Sequence, residues 1–513
     1  MDVSDREEKT VISTEKAGEY ETKKTDDEKI ASERIVRISL DYMEAGDESG
    51  NEFGRHERYS KTLPEGITSG MLYRDVFRIG WPALLELLLT QLTGMFDLMQ
   101  VGSLGTYAIA GVGVANQIKF LFMTVFLALN VGLTAMIARA RGANDMQLAR
   151  LTLRQGAMLN LISSTLVAVI GYILSPALIR FIGPSDSAAT ITAGIDYLRI
   201  NMIGFVFLAL TSTATAALRG VGNSRYSLVY NTVANVVNVF LNWVLINGML
   251  GFPRLEVRGA AIATVMGQNV AFLLALFSVF NKKNYLYIDL KLGFKPDREV
   301  ISGITRIGIP SAIEQLIMRA GIMIYTLMIT SLGTVAYGIH QICMNLQAMS
   351  FMNGQAFGIA ATSLVGQSLG KHRPDMAQAY SKRCQNLGAI VAVGIGLTFV
   401  LFGKTLAGLY DKDIYVIETA AKILIMIALV QPLMSSQLVL SGTMRGAGDT
   451  KVIAMITFVT VLVFRPAMAA LFIYVFDTGI YGAWYAMTID QIIRTVLVVL
   501  RYRSGKWKTA IGR

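Results

Sequence analysis

Four polar residues interrupt long apolar stretches of the sequence: Asp97, Asn238, Asn242 and Thr264. A carboxylate in the middle of a bilayer costs roughly 2.5–3.5 kcal/mol on insertion scales, so an acid in such a stretch usually has a function. Carboxylate, amide and hydroxyl oxygens bind hard cations, and a carboxylate can also carry a proton. These residue types therefore predict a cation or proton site inside a membrane.

The four residues fall at similar depths if their segments are helices. Asp97 lies six residues before Ser103, where we place the end of the first span, and this spacing is about 9 Å along a helix. Asn242 lies about six residues before the end of its span, and Thr264 about five residues after the start of the next. Asn238 lies one turn deeper than Asn242 on the same face. The alternative is that the amides only join neighbouring helices.

The composition predicts an all-α, polytopic membrane protein. Of the 513 residues, 53% are hydrophobic and only 16% are charged, whereas a soluble domain carries about 25% charged residues. The apolar residues form runs of roughly 20, the length at which a helix crosses a bilayer. We expect twelve transmembrane helices, the first near 77–100 and the eighth near 335–367.

The two halves of the chain repeat the same motifs in the same order. Six spans per half is an even number, so both halves should share one orientation. We therefore expect two parallel six-helix bundles related by a pseudo-two-fold axis along the membrane normal, an arrangement common in secondary transporters. At an offset of 228 residues, Arg78, Pro82 and Glu86 recur as Arg306, Pro310 and Glu314, and at an offset of 226 Arg219-Gly220 recurs as Arg445-Gly446.

The repeat provides an internal control for the polar residues. A purely architectural role would be expected in both halves, but the polar set occurs only in the first. This asymmetry favours an ion or proton site over packing alone. The counterparts of Asp97, Asn238, Asn242 and Thr264 in the second half are Tyr325, Phe464, Met468 and Met487.

Charge divides the chain into segments and orients it. Residues 1–70 hold 18 acidic and 11 basic residues, and we predict that they form a disordered cytoplasmic tail. One set of loops holds 17 lysines and arginines against four in the alternate set, which predicts cytoplasmic termini in a multi-pass plasma-membrane protein. The predicted bundles comprise residues 71–281 and 299–513, the second ending in a short basic tail, and residues 282–298 form a cytoplasmic linker.

Other residues could line a substrate cavity. Glu86 and Glu314 occupy equivalent positions and would attract cationic compounds if they faced a cavity. The alternative is that each pairs with a nearby arginine or with backbone donors freed by a proline. Methionines suit adaptable apolar binding walls, although ordinary packing is the commoner role; the methionines concerned are Met344, Met349 and Met352.

Several classes of protein can be weighed against this pattern. The sequence has no Walker A motif, which argues against ATP hydrolysis, and a membrane-embedded enzyme would need a clustered catalytic set that we do not find. The excess positive charge suits anionic lipid rather than nucleic acid. A flippase for lipids or lipid-linked saccharides would need a cationic cavity, which Arg319, Arg465 and Arg494 could supply. We expect Asp490 to pair with Arg494 at the i, i+4 spacing.

Over about residues 74–505 the chain resembles the multidrug and toxic compound extrusion (MATE) family, most closely its prokaryotic DNA-damage-inducible subgroup. The resemblance rests on motifs that occur in order on the 6+6 plan. They are Pro82…Asp97-x-x-x-Val101-Gly102-x-Leu104-Gly105, Arg219-Gly220-x-Gly222-Asn223, its repeat Arg445-Gly446-x-Gly448-Asp449-Thr450, Gly259-Ala260-Ala261-x-Ala263-Thr264 and Gly366-Gln367-x-x-Gly370.

The resemblance implies an antiporter that exchanges Na⁺ or H⁺ for organic, often cationic or amphiphilic, compounds by alternating access. It implies no cofactor besides the coupling ion, with small organic compounds and membrane lipids as partners, and we expect a monomer. By position, Asp97, Asn238 and Thr264 match the coupling site, Ala260 matches a backbone-carbonyl ligand, and Pro82 matches the proline where helix 1 bends. Asn242 departs from the subgroup, which usually has Asp there, so the site has one negative charge fewer.

Overall fold

The computed structural model describes residues 67–182, 188–282, 284–288 and 295–512. Most of the predicted tail, residues 1–66, lies outside the described residues, as does part of the predicted linker. The described chain is α-helical and contains no β-strand. Its first helix begins at Ser69, where the Thr68 side chain accepts a hydrogen bond from the Met71 N–H at 3.3 Å and caps the first turn.

Twelve long helices make up the described chain, which confirms the predicted fold class. Most run a few residues past the predicted boundaries because a helix need not stop where the bilayer ends. The helices are α1 (Ser69–Gly102), α2 (Thr106–Gly142), α3 (Met146–Ile182), α4 (Ala188–Gly220), α5 (Ser224–Asn247), α6 (Glu256–Phe280), α7 (Arg298–Thr330), α8 (Thr334–Gly370), α9 (Pro374–Gly408), α10 (Ile414–Gly446), α11 (Thr450–Val475) and α12 (Gly479–Arg503).

Eleven of these helices are long and apolar enough to cross a membrane, counted over the described residues. The exception is α8, which is 37 residues long but carries several polar side chains that lower its hydropathy. His340, Gln347 and Asn353 of α8 are all buried. A helix surrounded by protein can carry such residues because they do not face lipid.

The six helices of each half pack in the same pattern. In the N-lobe (α1–α6), α1 packs on α5, α2 on α4, and α5 on α6. In the C-lobe (α7–α12), α7 packs on α11, α8 on α10, and α11 on α12. The lobes meet through α2 against α7 and α1 against α8, which are equivalent pairs under the repeat.

Helix α11 is irregular where its counterpart α5 is regular. It contains two π-helical segments, Phe458–Phe464 and Leu471–Val475. Pro466 lies between them and has no N–H to donate, so the regular ladder is interrupted. Arg465 precedes this proline and is buried in the C-lobe.

Hydrogen bonds join the two lobes at one end of the molecule. We call it the basic end, defined by Arg139, Arg219, Lys371 and Arg445 at or beside the helix termini. Gln367 Nε2 donates to the Gly220 carbonyl at 2.9 Å. Arg139 Nη2 donates to the Ala447 carbonyl at 2.7 Å. The two donors occupy equivalent positions in the repeat, the two acceptors differ by one position, and both bonds hold the lobes together at this end.

Candidate functional site

Asp97 lies at the centre of a polar cluster inside the N-lobe. Asn242 Nδ2 donates to Asp97 Oδ1 at 2.5 Å. The Asn238 amide satisfies both of its groups when its nitrogen donates to Asp97 Oδ1 at 2.7 Å and its oxygen accepts from the Thr264 N–H at 3.2 Å. Thr264 Oγ1 in turn donates to the Ala260 carbonyl at 2.9 Å. The structure thus brings together all five residues predicted for the coupling site: Asp97, Asn238, Asn242, Ala260 and Thr264.

Helix packing explains how the cluster forms. Asn238 and Asn242 are one turn apart, so both face the same neighbours. Helix α6 approaches α5 closely at Gly267, where an added Cβ would lie 2.7 Å from the Ala234 carbonyl oxygen. Helix α1 packs on the other side of α5 and supplies the carboxylate.

One oxygen of the cluster has no donor. Asn242 is 1% exposed, and its Oδ1 has no hydrogen-bond partner among the described residues. A buried acceptor without a donor costs about 1–3 kcal/mol, so such an atom usually indicates a missing ligand or an alternative bonding state. Together with Asp97, Thr264 and the Ala260 carbonyl, it could bind Na⁺ or accept a proton held by the carboxyl group.

Lys119 is a charged residue near the cluster that was not predicted from the sequence. It lies on α2, donates to Asn201 Oδ1 at 3.4 Å and lies 5.7 Å from the centre of the Tyr197 ring. It interacts electrostatically with Asp97. A lone lysine in an otherwise apolar run was the signal that could have identified it. Its charge partly offsets that of Asp97.

Glu86 is held in a network of donors. Arg219 Nη2 and Asn231 Nδ2 donate to its Oε1 at 2.7 and 2.6 Å, and Ser227 Oγ donates to its Oε2 at 2.7 Å. Glu86 is buried. This geometry matches the alternative that the glutamate pairs with an arginine. Such a role links α1 to α4 and α5.

Glu314 has the same ion pair but a poorer environment. Arg445 Nη2 donates to its Oε1 at 2.6 Å, while its Oε2 is buried without a partner among the described residues. The repeat explains the difference, because Ile453 and Thr457 stand at the positions of Ser227 and Asn231.

The predicted methionine group is divided between environments. Met344 packs against the apolar core of the C-lobe, Met352 is half-buried, and Met349 is 47% exposed.

Pro82 lies within α1, which is helical on both sides of it.

Two of the three arginines considered for a flippase cavity form ion pairs inside the C-lobe. Arg465 and Arg494 both contact Asp490 Oδ2, at 2.5 and 2.7 Å, and all three residues are buried. This confirms the predicted Asp490–Arg494 pair and adds Arg465 to it. Arg319 is the exposed member of the set and lies 5.5 Å from the centre of the Phe120 ring. A cationic cavity built from these three arginines is therefore not formed.

The duplicated six-helix lobes, with the Asp97 cluster in the first of them, define a polytopic membrane transporter of the two-lobed, twelve-helix kind. A sequence model described as MatE matches residues 82–244 and 310–471. The chain belongs to this family.

Individual relatives cover nearly the whole helical region. The chain is 28% identical over 436 residues to "Probable multidrug resistance protein NorM" of Thermotoga maritima, covering 85% of this chain and 93% of that protein. It is 26% identical to "Multidrug resistance protein MdtK" of Yersinia pestis, covering 84% and 95%. A structure described as "Outward-facing conformation of a multidrug resistance MATE family transporter of the MOP superfamily" superposes with a TM-score of 0.78 at 20% identity, covering 88% of this chain and 99% of that one. The last similarity shows a shared fold.

Proposed function

We propose that the protein is a cation-coupled antiporter that exports organic, cationic or amphiphilic compounds across the plasma membrane. The observation that carries this proposal is the cluster in which Asp97 Oδ1 accepts hydrogen bonds from two amides beside the unpartnered oxygen of Asn242. Relatives named as multidrug resistance proteins support the substrate class. The position of the cluster in the first half supports the DNA-damage-inducible subgroup, which remains a prediction.

We infer that the coupling ion is a proton. The site has one carboxylate, because Asn242 stands where the subgroup usually has a second acid. A proton needs only one oxygen of Asp97. Once protonated, the carboxyl group becomes a donor, and rotation of the Asn242 amide would offer Oδ1 as its acceptor. Proton binding would thereby exchange one hydrogen-bond pattern for another between α1 and α5.

This exchange can be coupled to alternating access. The lobes are joined at the basic end, which we take as cytoplasmic by the positive-inside rule; the structure then corresponds to an outward-facing state. Protonation of Asp97 from outside would alter the packing of α1 on α5 and favour opening towards the cytoplasm. Release of the proton inside would favour the return with substrate. Both termini are cytoplasmic in this scheme, and the working unit is a monomer.

Transport in proteoliposomes tests the proposal. The purified protein is given a fluorescent organic cation, with a pH gradient alone in one arm and a Na⁺ gradient alone in the other. We expect transport with the pH gradient and little with Na⁺. Transport driven by Na⁺ and indifferent to pH would assign the same cluster to sodium. Transport driven by neither gradient would contradict ion coupling.

A further inference from the structure

A second polar site lies at the cytoplasmic seam between the lobes, several helical turns from Asp97 along α1. We propose that it binds a phosphate-type anion, supplied by an anionic lipid headgroup or by free phosphate, and that the bound anion stabilises the outward-facing state. The site itself does not depend on the proposed function, whereas its effect on the transporter rests on alternating access.

The site is a cavity of about 400 Å³ formed by both lobes and the linker. Basic pockets between transmembrane helices on the cytoplasmic side are a common form of lipid-headgroup site. The charged and polar residues that matter here are Asp75, Arg78, Arg141, Asn223, Tyr285 and Lys371.

The cavity has an excess of unpaired positive charge. Arg78, Arg141 and Lys371 make no ion pair within the described part of the chain. The carboxylate in the lining is Asp75, and it accepts a hydrogen bond from Tyr380 OH at 2.8 Å. Three cations against one acid leave the lining with a net positive charge, which favours an anionic ligand. Arginine binds phosphate oxygens through paired N–H groups.

Further donors point to an anion rather than to general surface charge. Arg141 stacks on the Tyr285 ring at 4.0 Å, and the buried Tyr285 hydroxyl has no partner among the described residues. Arg150 Nε fixes the Tyr285 backbone carbonyl at 3.2 Å. Asn223 precedes α5, and its side chain makes no capping hydrogen bond. The cavity thus includes the N-terminal end of α5, and anions favour helix N-termini.

The repeat again provides an internal control. At the equivalent corner of the C-lobe, Asp449 replaces Asn223, and Arg501 binds it at 2.8 Å. Leu369 and Ala143 occupy the positions equivalent to Arg141 and Lys371, while Arg78 has a basic counterpart in Arg306. The unpaired cations therefore belong to this cavity and are not repeated at the equivalent position of the C-lobe.

The placement of the cations makes binding dependent on conformation. Arg78 and Arg141 belong to the N-lobe, whereas Lys371 follows α8 in the C-lobe. Opening towards the cytoplasm separates the lobes here and would divide the site. A ligand that prefers one state shifts the equilibrium towards it, so the anion should favour the outward-facing state.

Binding to the full-length protein in detergent tests the proposal. The probes are inorganic phosphate, short-chain phosphatidylglycerol and short-chain phosphatidylcholine. The test variant is Arg78→Gln/Arg141→Gln/Lys371→Gln. The control variant is Lys382→Gln/Lys451→Gln/Arg503→Gln, which removes three exposed charges from the same face of the protein. We expect the test variant to bind at least about tenfold more weakly, since it loses charged hydrogen bonds to the anion. We expect the affinity of the control to change less than about twofold.

The two anionic probes distinguish the source of the phosphate. If the test variant loses affinity for phosphatidylglycerol only, the ligand is a lipid headgroup. If it loses affinity for inorganic phosphate only, the ligand is the free anion. Equal affinity in wild type and test variant, equal weakening in the control, or no binding of either anion would overturn the proposal. If the triple variant does not fold, Lys371→Glu replaces it, because this residue is exposed; unchanged affinity in that variant would also overturn the proposal.

A second measurement tests the conformational effect. Spin labels at Gln147→Cys and Gln378→Cys report the separation of the lobes at the cytoplasmic face; the native Cys343 and Cys384 are buried. We expect the anion that binds to increase the short-distance population, and the triple variant to lose this response. An unchanged distribution with bound anion would contradict the conformational role. Asp97→Asn should retain anion binding. A failure of the coupling proposal can therefore be distinguished from a failure of the anion-site proposal.

Discussion

Asp97 Oδ1 accepts hydrogen bonds from the amides of two asparagines, while Asn242 keeps an oxygen without a donor. Because Asp97 Oδ1 has two donors and Asn242 Oδ1 has none, the proposed site has two hydrogen-bonding patterns, one for each protonation state of Asp97. With the carboxylate ionised, both amides donate to it. With the carboxyl protonated, rotation of the Asn242 amide would let its Oδ1 accept a hydrogen bond from the carboxyl group. A single proton can therefore change the contacts between α1 and α5.

The ion specificity of the site depends on its charge. We predict that Asn242→Asp makes transport respond to Na⁺, with the half-saturating sodium concentration lowered at least about tenfold. A second carboxylate at about 4 Å adds about 4 kcal/mol of attraction at an effective dielectric constant of 20. The measurement is transport driven by a Na⁺ gradient in proteoliposomes.

The matched control is Asn247→Asp, an exposed position on the same helix, which should leave sodium dependence unchanged. An unaltered response to sodium in Asn242→Asp would show that Asp97 and the neutral oxygens already determine ion choice.

Much of this site could be predicted from the sequence because depth along a helix follows from residue number. The positions of Asp97, Asn242 and Thr264 relative to the span ends were sufficient to group them. The rotation of each amide and the unpartnered Asn242 oxygen depend on three-dimensional packing, which the sequence does not contain. Lys119 was overlooked because it has no partner at helical spacing.

At the scale of helices, the two glutamates show how one repeated motif acquired different surroundings. Glu86 joins α1 to α4 and α5 through three donors, whereas Glu314 has one arginine and an oxygen without a partner. The sequence predicted the equivalence of these residues and left open whether they face a cavity. The lost serine and asparagine partners became evident only when the helices were assembled.

This difference predicts unequal effects on stability. Glu86→Gln should destabilise the protein by about 3 kcal/mol or more, because it leaves the Arg219 charge unpaired in a largely buried site. Glu314→Gln likewise leaves Arg445 without its ion pair, but it should cost less than Glu86→Gln. Its amide nitrogen can replace Oε2, which accepts no hydrogen bond, whereas the amide nitrogen of Glu86→Gln must face a donor on either side. Thermal unfolding in detergent measures both. Equal destabilisation would contradict the assigned networks.

The bounds and irregularities of helices were only partly predictable. Hydropathy located twelve segments, but it could not show that α8 carries its polar side chains into the protein interior. The π-helical segments of α11 were not predicted either. Pro466 lies between them, and the Arg465–Asp490 ion pair beside it joins α11 to α12.

At the scale of the whole molecule, the lobes close at the basic end through backbone carbonyls as well as side chains. The duplication itself could be predicted from repeated motifs. The bonds between the lobes could not, because they connect helices that are distant in the chain.

Locking this end should stop transport. Tyr73 OH and Asn386 Nδ2 are 3.0 Å apart across the lobes. We predict that a cleavable thiol crosslinker across Tyr73→Cys/Asn386→Cys abolishes transport and that cleavage restores it. Each single-cysteine variant, treated identically, is the control. Full transport by the crosslinked double variant would contradict opening at this end.

The acidic segment at the start of the chain should be dispensable for folding. Deletion of residues 1–60 leaves α1 and its Thr68 cap intact, and the removed residues are rich in charge. We expect a folded, membrane-inserted and monodisperse protein by size-exclusion chromatography. Aggregation of the shortened protein, with the full-length chain purified in parallel, would show that the segment supports the fold.

Proton-driven transport by the Asp97→Asn variant tests the central claim most directly. The control is Asp196→Asn, which removes an acid of the same lobe that pairs with the exposed Arg258 at 2.8 Å. Both variants are expressed, reconstituted and compared under one pH gradient. We predict that Asp97→Asn folds, binds substrate and shows no gradient-driven transport, while Asp196→Asn transports as wild type does. Full gradient-driven transport by Asp97→Asn would contradict the account.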